Sequence, residues 1–183
     1  LLSFWRRRRK GRRLDRRLFR SIVVALVSPQ DLRRYFEELG VPVHCFNARG
    51  PFGLARAVIS LTAVLRGSKA GIVHTHLFYA NVSGRIAGVL ARVPVVISSV
   101  HNADYSNEDT GRARFKIRKL VDKITVLYMN SLVIAVSEAV RGDCQQHLGL
   151  DRVQVLHNWI DVDQFERSPG DVRAGARKEF GFS

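Results

Sequence analysis

Residues 72–100, IVHTHLFYANVSGRIAGVLARVPVVISSV, carry the pattern that decides the fold. A short apolar run around Val73 comes first. A segment of small and apolar residues at helical spacing follows, and a second apolar run, VVISSV, begins after Pro94. Runs of this length fit buried strands, and the segment between them is long enough for a helix. The stretch therefore predicts a β-α-β unit with two parallel strands.

The same alternation extends along the chain in both directions. Further apolar runs are separated by helical patterns, for example those at 54–67 and 137–149. Strands that are apolar throughout are typical of sheets covered on both faces. We therefore predict an α/β fold, with a Rossmann-like parallel sheet and helices on both of its faces. The runs that predict further strands are SIVVALV at 21–27, VPVHCF at 41–46, SLVIAV at 131–136 and VQVL at 153–156.

A polar loop at 101–111 separates the strand VVISSV from a long helical pattern. Apolar side chains of that pattern recur at three- and four-residue spacing, which places them on one face of a helix. We predict a long amphipathic helix with this face formed by Ile117, Leu120, Val121, Ile124, Leu127 and Tyr128.

The positive charge of the chain, +14 overall, is concentrated at its start. Residues 1–20 hold ten of the 30 Lys and Arg side chains and a single Asp, and a field of this sign attracts anionic partners. Three interpretations of this predicted basic helix stay open: a solvated face, an interfacial helix on anionic lipid, and a nucleic-acid contact, which no recognition motif favours. The residues predicted to contact a membrane or an anion are Trp5, Arg6, Arg7, Arg8, Arg9 and Lys10.

Two features of the sequence indicate the compartment. Cys45 and Cys144 are too few and too far apart for a disulfide framework or a zinc site. No apolar run approaches the roughly 18 residues that a membrane span needs, and no apolar signal segment follows the basic start. We predict a cytoplasmic protein with free thiols, with peripheral contact to the inner face of a membrane as an option.

Polar residues follow four successive predicted strands. Open α/β sheets bind ligands at the carboxyl ends of their strands, so this convergence predicts a cleft for a polar ligand. Ser137 also has the position of a helix N-cap and Asn158 that of an Asx-turn, which gives each a structural alternative. In chain order the residues are His76, His101 with Asn102, Ser137, and His157 with Asn158.

His74 and His76 stand two residues apart in the first strand of residues 72–100. We predict that they lie on opposite sides of this strand, with His74 in packing and His76 at the cleft edge. Such a separation, without Cys, Asp or Glu beside them at ligand spacing, predicts no metal site. The chain also lacks GxGxxG, Walker and GxSxG motifs, so no complete catalytic apparatus is recognisable.

Taken together, these segments resemble a known family. IVHTHLFYANVSGRIAGVLARVPVVISSVHN is similar to the middle of the N-terminal domain of family-four (group 1) retaining glycosyltransferases. NSLVIAVSEAVRGDCQQHLGLDRVQVLHNWIDVDQF resembles the later signature of the same domain. Asn130 and Ser131 stand where an acidic residue is usual, and Trp159 replaces the glycine of the family's NGID turn. The resemblance covers almost the whole chain.

The resemblance implies the N-terminal, acceptor-side half of a GT-B fold. Its first strand is expected before Leu1 and its donor-binding C-terminal domain after Ser183. On this basis, residues 1–20 form the first helix, residues 21–167 the Rossmann-like domain and residues 168–183 an interdomain linker. Residues 1–183 alone are then expected to be inactive.

The resemblance also implies roles for the residues at the strand ends. It places His101 near the transferred sugar as the catalytic residue, where an imidazole hydrogen-bonds a hydroxyl or stabilises developing charge. The donor substrate is expected to be a nucleotide-diphosphate sugar, with no metal and no further cofactor, and the acceptor a glycan or a lipid-linked sugar. The residues expected to bind substrate are His76, Asn81, Asn102, Ser137 and Asn158.

Two alternatives from other classes stay open. One is a non-catalytic binding module with the same fold, and the other is a basic adaptor at a membrane surface. Nucleic acid is disfavoured as a partner, because the basic start lacks the motifs of nucleic-acid-binding domains.

Overall fold

The computed structural model describes residues 19–27, 30–102, 105, 113–129, 132–158 and 170–181. Strands and helices alternate along these ranges, as the hydrophobic pattern predicts. The strands are β1 (Val23–Ala25), β2 (Val43–Cys45), β3 (Ile72–His76), β4 (Val95–Val100), β5 (Leu132–Ala135) and β6 (Val153–Val155). The helices are α1 (Gln30–Glu38), α2 (Gly50–Gly67), α3 (Phe78–Leu90), α4 (Ala113–Tyr128), α5 (Glu138–Leu148) and α6 (Gly170–Glu179).

All strand pairs described by the structure are parallel. β1 pairs with β2, and β3, β4, β5 and β6 form a second sheet in sequence order. The predicted class is confirmed: the sheets are parallel and Rossmann-like, with helices on both faces. The difference from the prediction is that the described strands form two sheets rather than one. In the second sheet, the carboxyl ends of the strands lie along one edge.

One hydrophobic cluster joins the two sheets. Val24 of β1 and Val73 of β3 pack in it with Leu61 and Leu65 of α2 and with Ala87 of α3. A second cluster lies between β5, β6 and α5, and its members include Cys144, whose thiol is fully buried. The two cysteines are free thiols, and burial raises the pKa of Cys144 to about 12.

The structure differs from the sequence-based prediction in the limits of some elements. α2 begins at Gly50 rather than at Leu54, because Pro51 occupies a position in the first turn, where a helix needs no backbone N–H. The predicted linker contains helix α6. The predicted basic helix lies outside the described residues, since the description begins at Phe19. The domain boundaries stay predictions.

The small residues of α3 let this helix approach the sheet closely. A Cβ atom added at Gly84 would lie 2.2 Å from Cγ2 of Thr75, and one added at Gly88 would lie 2.8 Å from Cγ2 of Val96. Moving the Thr75 side chain aside would cost free energy, because its hydroxyl donates a hydrogen bond to the Ile97 carbonyl at 3.1 Å. The glycines of α3 therefore fix the distance between this helix and the strands that end at the cleft.

We expect Gly84→Ala to destabilise the fold by about 1–3 kcal/mol, the usual cost of overpacking a filled core. Urea unfolding of the purified variant measures this. Gly142→Ala is the matched control, since Gly142 lies in helix α5 with open space around it and Ala favours helices by about 1 kcal/mol. Equal midpoints for the two variants would contradict the close approach of α3.

The predicted apolar face of α4 is formed, but it points to solvent. The inner side of the helix is instead partly polar, with Asp122 and Thr125 buried beside Val126. α4 packs against α3 and α5 through this inner side. The exposed members of the apolar face are Ile117, Leu120, Val121, Ile124, Leu127 and Tyr128.

Candidate active site

An open cleft of about 160 Å³ lies at the carboxyl ends of β3 and β4. Typical small-molecule sites have volumes of roughly 300–1,000 Å³, so this cleft is large enough for only part of a ligand of that size. β4 and the residues after it form one wall, and the start of α3 and part of α4 form the others. The lining residues are Leu77, Phe78, Tyr79, Asn81, Val100, His101, Asn102, Tyr105, Arg118 and Asp122.

His101 lines this cleft, and His76 contacts His101 without lining the cleft itself. β3 and β4 are paired so that His76 lies opposite Ser99, and His101 follows directly after β4. Nδ1 of His76 and Nε2 of His101 are 3.0 Å apart, a hydrogen-bond distance, and the tautomers decide which nitrogen donates. Because this bond occupies Nε2 of His101, its Nδ1 atom is the ring nitrogen that can meet a ligand.

The prediction that His74 and His76 lie on opposite sides of β3 is wrong. Side chains alternate along a strand, so residues two positions apart share a face. The two imidazole rings are accordingly close, with centroids 4.3 Å apart, and Nε2 of His74 lies 2.8 Å from the Ser99 hydroxyl. His74 therefore adds a third imidazole to the pair rather than packing on the far side of the sheet.

Burial keeps the three histidines neutral. Desolvation lowers the pKa values of His74 and His101, and the same cause, reinforced by His74, lowers the pKa of His76 to about 3. Three imidazoles in contact would repel one another if they carried charge, which acts in the same direction. At neutral pH the cluster therefore offers hydrogen-bonding groups without positive charge.

We expect acid to destabilise the domain through this cluster. An unfolded His76 takes up its proton near pH 6.5, whereas the folded one does so near pH 3. Between these values the unfolded chain binds more protons, so the free energy of unfolding falls as the pH is lowered. Urea midpoints at pH 7.5, 6 and 5 measure the slope, and His76→Gln should flatten it. An unchanged slope in that variant would contradict this account.

The two predicted amides after β3 and β4 also reach the cleft. Asn81 of α3 is 3% exposed, and its Nδ2 atom donates to the Ser99 carbonyl at 3.1 Å. Its Oδ1 atom has no hydrogen-bond partner within the described ranges. A buried acceptor without a partner costs free energy, so Asn81 leaves one uncompensated polar atom beside the cleft. Asn102 lines the cleft and is exposed.

The remaining predicted site residues lie elsewhere. Ser137 follows β5 and caps α5, where its hydroxyl accepts a hydrogen bond from the Val140 N–H at 3.2 Å. Asn158 follows β6 and is exposed. Neither residue lines the cleft, and their roles in substrate binding stay predictions. Trp5 and residues 6–10 fall outside the described residues.

The structure adds residues that the sequence did not single out. Leu77 joins β3 to α3 with a φ of 70°, a conformation that is uncommon for a side chain of this size. The turn brings Phe78 and Tyr79 to the cleft, and the Arg118 guanidinium lies 4.2 Å from the centre of the Phe78 ring. This cation–π contact joins α4 to the start of α3 at the cleft wall.

A buried ionic network lies beneath the cleft. Arg85 of α3 is 1% exposed and pairs with the carboxylate of Asp122, which is 2% exposed. Nε of Arg85 donates to the Ser98 hydroxyl at 2.9 Å, and Nη1 donates to the Thr125 hydroxyl at 3.1 Å. The Tyr105 hydroxyl donates to the same carboxylate of Asp122. The network ties α3, β4 and α4 together.

Tyr105 connects this network to the polar segment after His101. Its backbone N–H donates to Asp143 of α5 at 3.1 Å, and burial, with the Asp122 carboxylate beside the phenol, raises its pKa. Tyr105 is thus held at both its backbone and its side chain, four positions after His101. One signal was available in the sequence: Arg85 interrupts an apolar helical pattern, and Asp122 is the one acidic residue of α4.

The described part of the chain contains neither a group of metal ligands nor a membrane-spanning helix. No three His, Cys, Asp or Glu side chains among those residues are grouped so that they could hold a metal ion. No helix there has both the length and the apolar character needed to cross a bilayer.

The fold and the cleft together define an open α/β protein with a partly polar cleft at the carboxyl ends of parallel strands, which is where such sheets bind their ligands. The family model of Glycosyltransferase Family 4 matches residues 8–164, and the chain belongs to this family. The resemblance that the sequence motifs indicate is thereby confirmed.

Similar proteins include two curated enzymes. An alpha-1,3-galactosyltransferase of Escherichia coli, which uses UDP-Gal and alpha-D-GlcNAc-diphosphoundecaprenol, is 30% identical over 112 residues, or 60% of this chain and 28% of that enzyme. Alpha-maltose-1-phosphate synthase of Mycobacterium tuberculosis is 29% identical over 169 residues, or 80% of this chain and 43% of the enzyme. The chain spans less than half the length of these relatives.

A solved structure shares the fold. The crystal structure of HepE from Anabaena in complex with UDP-glucose superposes with a TM-score of 0.71 at 23% identity, covering 87% of this chain and 42% of HepE. At this identity the likeness supports the architecture, and the family assignment comes from the sequence match.

Proposed function

We propose that this chain is the acceptor-side part of a retaining glycosyltransferase that moves a hexosyl group from a nucleotide-diphosphate sugar to an acceptor. One observation carries the proposal: the His101 imidazole lies after β4 in an open cleft and is hydrogen-bonded to His76 through Nε2. Membership of Glycosyltransferase Family 4 supports the reaction class.

His101 acts through its Nδ1 atom. Because burial lowers the pKa of His101, the imidazole is neutral at pH 7 and meets a sugar hydroxyl as a hydrogen-bonding group. In the tautomer in which His76 donates to Nε2, the Nδ1–H of His101 donates to an oxygen of the sugar, where it stabilises charge that develops during transfer. His76 is a positioning residue, and Asn81 and Asn102 contact the substrate.

The donor nucleotide is held by a C-terminal domain beyond residues 1–183. The small volume of the cleft and the length of the curated relatives support this division. We propose a lipid-linked acceptor, which the printed substrate of the Escherichia coli relative supports, and a cytoplasmic location at the membrane periphery. Transfer is proposed to need no metal and no cofactor other than the donor.

A transfer assay tests the proposal. The intact protein is incubated with UDP-, GDP- and ADP-sugars and a lipid-diphosphate sugar acceptor, and the anomeric configuration of the product is read by NMR. We expect transfer from one nucleotide class, with retained configuration, insensitivity to EDTA and no turnover by residues 1–183 alone. If the folded intact protein binds a nucleotide sugar but neither transfers nor hydrolyses it, the chain is a binding module and the proposal is overturned.

A further inference from the structure

The outer face of α4 is apolar over the length of the helix. Six side chains at positions 117, 120, 121, 124, 127 and 128 are between 37% and 79% exposed. At 3.6 residues per turn they cover an arc of about 120° of the helix surface. Scattered exposed apolar residues need no explanation, but a continuous apolar stripe on a surface marks an interaction site. We use the term outer face for these six residues.

The helix is fixed in this orientation by its inner side. The carboxylate of Asp122 pairs with buried Arg85 and accepts from the Tyr105 hydroxyl, and Thr125 also contacts Arg85. Rotating α4 to bury the outer face would expose these bonds and leave Arg85 in the core without its counter-charge, which is strongly unfavourable. The exposed stripe is therefore a stable property of the described fold.

The charges beside the outer face identify its partner. Lys116 and Lys123 are exposed along one border of the stripe, and the one acidic residue of α4, Asp122, is buried. An apolar stripe bordered by lysines matches a leaflet with anionic headgroups above apolar acyl chains. A second copy of the chain fits less well, because protein interfaces are depleted in Lys and a symmetric contact would bring lysines together.

We propose that the outer face of α4 lies in the interfacial zone of an anionic lipid membrane, with Lys116 and Lys123 on the headgroups. The same helix contributes Arg118 and Asp122 to the cleft. A membrane bound to α4 is therefore next to the site, at the place where the sugar of a lipid-linked acceptor would enter. This last step rests on the proposed function, whereas membrane binding rests on the surface of α4 alone.

Vesicle sedimentation tests the surface. The probes are vesicles of phosphatidylcholine alone and vesicles with 30% phosphatidylglycerol, a composition of about one-third anionic lipid chosen to give a strong negative surface potential. We expect the intact protein to bind the anionic vesicles, and the pair Leu120→Glu with Ile124→Glu to weaken binding at least about 30-fold. Lys116→Gln and Lys123→Gln should each weaken it about fivefold at low salt. Ile59→Glu, at a 70% exposed position of α2, is the matched control and should bind as the wild type does.

Depth-dependent quenching gives an independent measurement. Tyr128 is 79% exposed on the outer face. Brominated lipids should therefore quench the fluorescence of the tryptophan introduced in Tyr128→Trp, but not that of the tryptophan introduced in Ile59→Trp. Both variants keep the same native tryptophans. A variant with Arg6, Arg7, Arg8 and Arg9 changed to Gln separates the basic start from α4. The quenching of Tyr128→Trp should persist in that background.

Three results would overturn the proposal. The first is wild-type affinity for anionic vesicles in the double Glu variant with an unchanged circular dichroism spectrum. The second is equal binding of the wild type to neutral and anionic vesicles. The third is a wild-type dimer that the double Glu variant converts to a monomer. The last result would assign the outer face to a second copy. Sugar transfer to a soluble acceptor is scored separately, so loss of vesicle binding with normal transfer refutes the membrane surface and leaves the proposed function intact.

Discussion

Replacing His101 by Ala in the intact protein should lower kcat/KM for sugar transfer by about 10²- to 10⁴-fold, the usual contribution of a positioned imidazole. The loss arises because the hydrogen bond from Nδ1 is made most strongly when charge develops on the transferred sugar. Initial rates at several donor concentrations measure it, and most of the loss should appear in kcat.

Two controls separate chemistry from folding. His44→Ala removes an exposed histidine of β2, which does not line the cleft, and should leave transfer unchanged. His101→Asn keeps a hydrogen-bonding side chain and should recover part of the rate. A rate for His101→Ala within threefold of the wild type, with an unchanged urea midpoint, would remove His101 from the mechanism.

Arg85→Ala should destabilise the fold by about 3–5 kcal/mol, because it leaves the buried carboxylate of Asp122 without its counter-charge. Domains of this size have free energies of unfolding of about 5–15 kcal/mol, so the variant should be partly unfolded at 37 °C. Urea unfolding and near-UV circular dichroism measure the effect.

Replacement of the three ionisable members of the network is the sharper test. Arg85→Met, Asp122→Leu and Tyr105→Phe together remove both charges and the phenol that donates to the carboxylate, so no buried charge is left alone. We expect this triple variant to be more stable than Arg85→Ala. Arg33→Ala breaks an exposed ion pair with Glu37 and should leave the midpoint almost unchanged. If Arg85→Ala unfolds at the same urea concentration as Arg33→Ala, the network does not hold α3 to α4.

The strands and helices could be predicted because burial leaves a strong mark on the sequence. VVISSV and LVIAV are buried strands flanked by helical patterns, and periodicity alone identifies both. The position of His101 at a strand end followed from the same pattern. The hydrophobic pattern does not show which residues lie opposite each other in the sheet. The contact between His76 and His101 depends on the register of β3 against β4, which two segments distant in the sequence determine together.

The orientation of α4 illustrates a different limit. An apolar stripe normally indicates the buried side of a helix, and nothing in KIRKLVDKITVLY alone reveals that its inner side is polar. Arg85, which lies 37 positions before Asp122, determines which side of α4 is buried. Its charge requires Asp122 and Thr125 to face inward. A lone Arg in an apolar helix and a lone Asp in a basic one are the clue, and pairing them requires the fold.

The arrangement of the strands bears on how the domain opens. Between β1 and β3 the described residues are joined by the side chains of Val24, Leu61, Leu65, Val73 and Ala87, whereas each sheet is held internally by a ladder of backbone hydrogen bonds. Side-chain packing is non-directional, and its strength scales with the buried apolar area. The packed contact between β1 and β3 therefore tolerates small shear movements that a ladder of backbone hydrogen bonds does not. We therefore expect the β1–β2 pair to detach at a lower free energy than the strands that carry the histidines, which amide hydrogen exchange of the two sheets would measure.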